Sequence, residues 1–301
     1  MSKHPRISVF PKGYLEELSD GRMDIFEWIE QAGTLGADGL ELYPSFLKDT
    51  SEEYLLSIKR AAEKENLIIP MMCSSPDFTH PDASFRENEI NKMKKMIDVM
   101  HFLGPGDFQS CRVLSGQRRP EVSTEEGIQW TVDSINELLL YAESKNVHLV
   151  MENHYKDGFW IYPEFAQKSE VFLQIIKQIS SPYFGVNYDP SNAIFAGEDP
   201  IVLLKEVKNR LVTAHASDRY LAEGYSLEDI QKYVNEGYSE ALSHGVIGKG
   251  LNDYNQIFTI LKSIHFDGWI SIEDGVNGLH ELKESVVFLR KMINKHYALL
   301  N

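Results

Sequence analysis

Four residues far apart in the chain each close a short apolar run. Glu152 follows Val147-His148-Leu149-Val150-Met151, Asp189 follows Phe184-Gly185-Val186-Asn187-Tyr188, His215 follows Leu211-Val212-Thr213-Ala214, and Glu273 follows Trp269-Ile270-Ser271-Ile272. Three carboxylates and one imidazole suit a hard or borderline divalent cation such as Mn2+, Mg2+, Co2+ or Zn2+, with positions left for substrate oxygens. The apolar approach to each group makes an unpaired charge there costly, and a cation would offset that cost. A lone acid at a strand end is usually a loop cap or an ion-pair partner. Four ligand-type residues closing four successive runs are harder to explain in that way.

These runs belong to a set of eight, at 7–10, 39–43, 67–73, 110–114, 147–152, 184–189, 211–215 and 269–273. Helical patterns lie between them at 24–31, 52–65, 124–144, 170–179, 252–263 and 282–300. Leu55, Ile58 and Ala62 share one face of the second, with Ser51 as its cap. Ile128, Val132, Ile135 and Leu139 share one face of the third. Strands alternating with helices imply parallel strands joined by crossovers. Eight such units in 301 residues predict an α/β chain folded as a closed (β/α)8 TIM barrel. No linker-like tract interrupts the pattern, so residues 1–301 are expected to form one domain. In such a barrel the strand C-termini open on one face, and the four residues converge there. Two long connections, 74–91 and 217–250, also follow strand C-termini. They read as lids, as substrate loops or as plain surface excursions.

The stretches Met151-Glu152-Asn153-His154, Tyr188-Asp189-Pro190-Ser191-Asn192, Ala214-His215-Ala216-Ser217-Asp218-Arg219, Gly248-Lys249-Gly250 and Ser271-Ile272-Glu273-Asp274-Gly275 occur in that order. Together they resemble the sugar phosphate isomerase/epimerase family of the xylose isomerase-like barrel superfamily, which also holds the endonuclease-four barrels. The resemblance spans nearly the whole chain. It implies a divalent metal on Glu152, Asp189, His215 and Glu273, and it selects Glu273 over its neighbour Asp274, which pattern alone does not do. In epimerase members the two glutamates also move protons on opposite sides of a sugar carbon. The metal there polarises a carbonyl and stabilises an enediolate. That resemblance gives Glu152 and Glu273 catalytic roles as well.

Other residues are candidates with plain alternatives. His154 stands two residues after Glu152, on the same side if the strand continues. It is a substrate ligand or general base, or else a loop histidine. Asn192 occupies a place where several relatives of the family carry a histidine, so a second metal is not expected and a substrate contact is. Arg219 and Lys156 are candidate contacts to sugar hydroxyls or a phosphate, and otherwise surface charges. His244 precedes the Gly248-Lys249-Gly250 loop and is a further candidate substrate contact, or simply part of a turn. Glu41 reads as an inner-barrel or ion-paired carboxylate, and His80 belongs to the first long connection.

The formal net charge of -15 argues against a nucleic-acid partner, which would need a basic surface. No run approaches the roughly 18 apolar residues of a membrane span, and none near Met1 suits a signal peptide. Cys73 and Cys111 form no CxxC pair and read as free thiols in a reducing compartment. A cytoplasmic enzyme with a small carbohydrate substrate is therefore expected, and nothing excludes a homo-oligomer. The first reading is an isomerase or epimerase of a ketose or sugar phosphate. The alternative is a lyase, either a keto-inositol-type dehydratase or an enzyme that eliminates an aglycone from an oxidised glycoside. A remote third is an endonuclease-four-like phosphodiesterase. It is disfavoured by Asn192, by Leu242-Ser243-His244 where an Asp-x-His is expected, and by the acidic charge.

Overall fold

A computed structural model describes residues 4–106 and 108–298. Its strands, in chain order, are β1 (Arg6–Val9), β2 (Gly39–Leu40), β3 (Met71–Met72), β4 (Ser110–Val113), β5 (His148–Glu152), β6 (Phe184–Tyr188), β7 (Leu211–Ala216), β8 (Arg219–Leu221), β9 (Leu242–His244) and β10 (Trp269–Ile272). Eight of them form one sheet in the order β2-β1-β10-β7-β6-β5-β4-β3, and β8 pairs antiparallel with β9. Every ladder in the large sheet is parallel. The two outer members of that order meet through parallel bridges Gly39–Ile68 and Leu42–Met72, which round the sheet into the expected TIM barrel. Strands β5, β6 and β10 are buried on both faces apart from the first residue of β5. This is why they read as unbroken apolar runs.

The seam explains why β2 and β3 are shorter than the runs at 39–43 and 67–73. Pro70 has no N–H to give to a ladder, and Tyr43-Pro44 turns into a 3-10 helix at Pro44–Phe46. Leu40 N still donates to Ile68 O at 2.9 Å and Cys73 N to Leu42 O at 2.7 Å. Gly39 sits where the seam is tightest. A Cβ there would lie 2.4 Å from the Ile68 carbonyl oxygen and 3.0 Å from the Trp269 ring.

Helices pack outside the strands. Thr124–Ser144 matches its expected limits and starts with a capping box between Ser123 and Glu126, with Ile128, Val132, Ile135 and Leu139 buried. Ser51 caps Glu52–Lys64, and Asp24 caps Ile25–Gly33. The last helix runs Leu279–Tyr297; residues 299 and 300 of the expected span lie outside the described residues. One long helix was not expected. Ala83–Leu103 begins inside the stretch read as a long connection, with Asp82 as its cap and Ile90, Met93, Ile97 and Met100 buried. The second long connection carries the β8–β9 hairpin and helix Leu227–Tyr233. Cys73 and Cys111 are buried and unpaired, as expected. No helix among the described residues is long and apolar enough to cross a membrane.

Gly39→Ala should loosen the barrel at its seam. The expected loss is about 1–3 kcal/mol, as for other overpacked core sites. Urea unfolding monitored by tryptophan fluorescence would check it, and an unchanged midpoint would contradict this account of the seam.

Candidate active site

Barrel closure brings together what the sequence separates. Glu152 ends β5, Asp189 follows β6, His215 lies in β7 and Glu273 follows β10. Ligand-capable atoms of all four lie within 4.8 Å of one another, and all four side chains are buried. Register holds them in place: His215 pairs with Ser271, and Glu273 N donates to Ala216 O at 2.9 Å.

The four differ in what else holds them. His215 Nδ1 lies 2.8 Å from Glu273 Oε2 and 3.3 Å from Glu152 Oε1, while its Nε2 lies 3.2 Å from Glu41 Oε2. Glu41 also receives the Cys73 thiol at 3.2 Å. A carboxylate on the far ring nitrogen is the usual partner of a metal-binding histidine, because it fixes the tautomer that leaves the near nitrogen free. Asp189 caps helix Pro190–Phe195, accepting from Asn192 N at 3.0 Å, and takes Ser217 Oγ at 2.6 Å. Glu152 receives Arg112 Nη1 at 2.8 Å and Asn192 Nδ2 at 2.9 Å. Glu273 receives Lys12 Nζ at 2.9 Å.

The electrostatics support a cation. Burial, then Glu152 and Glu273, push the Asp189 carboxyl up to about 7. Burial works against the charged forms of Glu152 and Glu273 too. His215 and Arg112 nonetheless hold the first low, and Lys12 and His215 the second. Burial would lower His215, yet Glu152, Glu273 and Glu41 raise it well above an ordinary imidazole. Asp189 is thus the member of the cluster held by neutral donors, Asn192 N and Ser217 Oγ, rather than by a cationic side chain. Three oxygen donors and one oriented nitrogen, spaced as a first coordination shell allows, fit a divalent ion.

Beside this cluster is a cavity of about 180 Å3, lined among others by Lys12, Tyr43, Arg112, His154, Tyr155, Lys156, Asp157, Tyr238, His244 and Glu273. A much larger one, about 830 Å3, surrounds Arg6, His148 and Trp269 at the strand N-termini. That is the face of a barrel where stability rather than catalysis is built. The expected site residues divide accordingly. His154, Lys156, His244 and Glu273 line the small cavity. Lys156 is half-buried, with its ammonium 5.2 Å from the centre of the Tyr238 ring. His244 Nδ1 lies 2.6 Å from Asp274 Oδ1. Asn192 spans Glu152 and Asp189 and is not part of that lining. Arg219 is buried under Phe195, donates to Asp274 Oδ1 at 2.7 Å and contacts His244. Burial pushes His154 down to about 4, with Glu152 opposing and Arg112 adding to it.

Sequence reasoning missed Lys12 and Arg112. Lys12 carries no pattern signal. Arg112 does carry one, being a cation inside an apolar run, which demands a buried partner.

A closed parallel barrel with a three-carboxylate, one-imidazole cluster at its strand C-termini defines a class of metal-site barrels. The xylose isomerase-like TIM barrel family model matches residues 29–292, and the chain belongs to that family. An inosose dehydratase from Clostridium tetani is 27% identical over 258 residues, covering 81% of this chain and 80% of that one. A xylose isomerase domain protein from Planctomyces limnophilus superposes with a TM-score of 0.73 at 17% identity, covering 99% of this chain and 100% of that one. A D-psicose 3-epimerase from Clostridium cellulolyticum H10 also gives 0.73, at 15% identity, covering 96% and 99%.

Two outcomes are expected at the cluster. Chelation with EDTA should lower thermal stability and Mn2+ should restore it, by about 2.7 kcal/mol at a hundred times the dissociation constant. Calorimetric scans with and without metal would show this, and identical scans would speak against a metal centre. Glu41→Gln should weaken metal binding by about 10- to 100-fold through loss of His215 orientation. Isothermal titration with Mn2+ would measure it.

Proposed function

We propose that this enzyme holds a divalent cation on Glu152, Asp189, His215 and Glu273 and removes a proton beside a carbonyl of a small carbohydrate, with elimination as the net result. One observation carries the choice of base. Glu152 is already engaged by Arg112, Asn192 and His215, whereas His154, buried as well, lines the cavity. A base needs a free lone pair on the substrate side, and His154 is the imidazole lining the cavity that can supply one. The dehydratase named among its relatives is consistent with this reading.

The cation, when bound, supplies positive charge that stabilises negative charge developing on the substrate oxygen. The remaining work belongs to side chains. His154 takes the carbon-bound proton. The electron pair left behind forms the new double bond as a β-hydroxyl departs. The resulting imidazolium gives that same proton to the leaving oxygen, so water is released and the proton count closes on one residue. Burial alone would lower Lys12, but Glu273 raises it, so the ammonium keeps its charge. It adds positive potential beside the reacting oxygens rather than a transferable proton. Lys156 is placed to meet a hydroxyl or an anionic substituent.

Epimerisation is the second reading. It is favoured by Glu273, which lines the same cavity as His154 and could return a proton from another direction. Both readings share the first step, and product analysis separates them.

His154→Gln should lower turnover of the true substrate by about 100- to 10,000-fold, the range of general acid–base groups. The assay is a panel of ketoses and inososes in D2O, scored for deuterium beside the carbonyl and for loss of water. A proton shuttled by one residue can escape solvent exchange, so a primary isotope effect with deuterated substrate is measured as well. Absence of both signals from the wild-type enzyme would overturn proton abstraction, and a variant within about threefold of wild type would remove His154 from the base role.

A further inference from the structure

Glu164 lies in the loop between β5 and helix Ser169–Gln178 and is fully buried. Its backbone is tied on several sides. Glu164 N donates to Tyr155 O at 2.9 Å, Phe165 N to Gly116 O at 2.7 Å, and Arg118 N to Pro163 O at 2.8 Å. One carboxylate oxygen is satisfied: Oε1 accepts Ser115 N at 2.8 Å and the Ser115 hydroxyl as well. The other is not. Oε2 is buried with no hydrogen-bond partner, and 3.8 Å from it lies His154 Nδ1, also buried and also without a partner.

A buried polar atom left without a partner is costly, so each orphan favours an arrangement that meets it. A small rotation of either side chain lets them serve each other. The imidazole is otherwise well held, stacking on Tyr155 at 5.1 Å, which stacks on Phe195 at 4.5 Å. With Nδ1 turned to Glu164, Nε2 is the nitrogen left for the cavity. A glutamine could accept from Ser115 as well as a glutamate does, so the anchoring of this loop does not require the charge. The second oxygen does.

We propose that Glu164 is a positioning residue: its Oε2 accepts Nδ1–H of His154 and fixes the tautomer whose Nε2 lone pair faces the substrate. The inference rests on His154 being the base. Burial pushes the Glu164 carboxyl up to about 8, against the donors at Ser115 and the Gly116 backbone. A further donor from His154 acts in the opposite sense and favours the ionised acceptor. The arrangement is the orienting logic of a carboxylate behind a catalytic imidazole.

Glu164→Gln keeps shape and the Ser115 contacts but puts an N–H where the acceptor was. That reverses the polarity at Nδ1 and should flip the tautomer. The test uses 15N-labelled, Mg2+-loaded protein, with the His154 ring signal assigned by its absence in His154→Gln. Wild type is expected to show a protonated Nδ1 and a bare Nε2, and Glu164→Gln the reverse. With any ketose or inosose that is turned over, kcat should fall about 10- to 100-fold while KM and metal content stay put. Wild type with a protonated Nε2, or a variant with the wild-type tautomer, overturns the proposal. If Glu164→Gln does not fold, the wild-type spectrum alone decides. If no probe is turned over, the tautomer still decides the positioning role, so failure of the reaction reading is told apart from failure of this one.

Discussion

Burying three carboxylates around one imidazole is the constraint on which the mouth of this barrel depends. Parallel closure delivers the ends of β5, β6, β7 and β10 to one place, and each arrives through apolar sequence that excludes water. Isolated ions in such surroundings carry desolvation penalties of several kcal/mol each. The fold answers with charge from outside the cluster. Arg112 comes from β4 and Lys12 from the 3-10 turn after β1, while Glu41, beyond β2, orients His215. The charges therefore tie most of the strand ends to one another. Loss of any one partner would leave a buried charge uncompensated rather than merely delete a contact.

The same logic extends into the loop after β7. Asp218 accepts Gly248 N at 2.8 Å, Gly250 N at 2.9 Å and Asn252 N at 3.1 Å. One carboxylate thus gathers the far end of a long excursion back to the barrel rim. Its own N–H goes to Asp274 Oδ2 at 3.0 Å, and Asp274 also takes Arg219. The resemblance chose Glu273 over Asp274, and the structure shows the division of labour between these neighbours. Glu273 faces the cluster and the cavity, while Asp274 organises Arg219, His244 and the loop.

Much of this was legible in the sequence because strand ends are local signals. The eight runs, the α/β alternation and the four convergent residues follow from apolar patterning and from barrel topology. Residues whose role depends on a distant neighbour were harder to read. Lys12 meets Glu273 across 261 positions, and nothing in Pro11-Lys12-Gly13 announces it. The helix Ala83–Leu103 had the periodicity to be seen, but Pro81 and the polar residues around it made the region read as a connection. The short β2 and β3 reflect seam geometry, which no single run reveals. Asn192 was read toward substrate because several relatives carry a histidine there; the structure buries it, with its side-chain amide on Glu152 and its backbone N–H on Asp189.

Charge pairing also bears on which residue can do chemistry. A carboxylate already engaged by an arginine and an asparagine has few lone pairs left for a further proton. Arg112 gives its Nη1 to Glu152, its Nε to Ser74 O at 3.2 Å and its Nη2 to Ser75 Oγ at 2.9 Å, so it is fixed on three sides. That rigidity holds Glu152 in the cluster. The neighbouring imidazole is held differently: His154 stacks on Tyr155 and lines the cavity. Two residues at and just beyond one strand end thus differ: Glu152 is tied into the cluster by an arginine and an asparagine, and His154 borders the cavity. The environment makes that separation, since both side chains would be plausible bases if they stood alone.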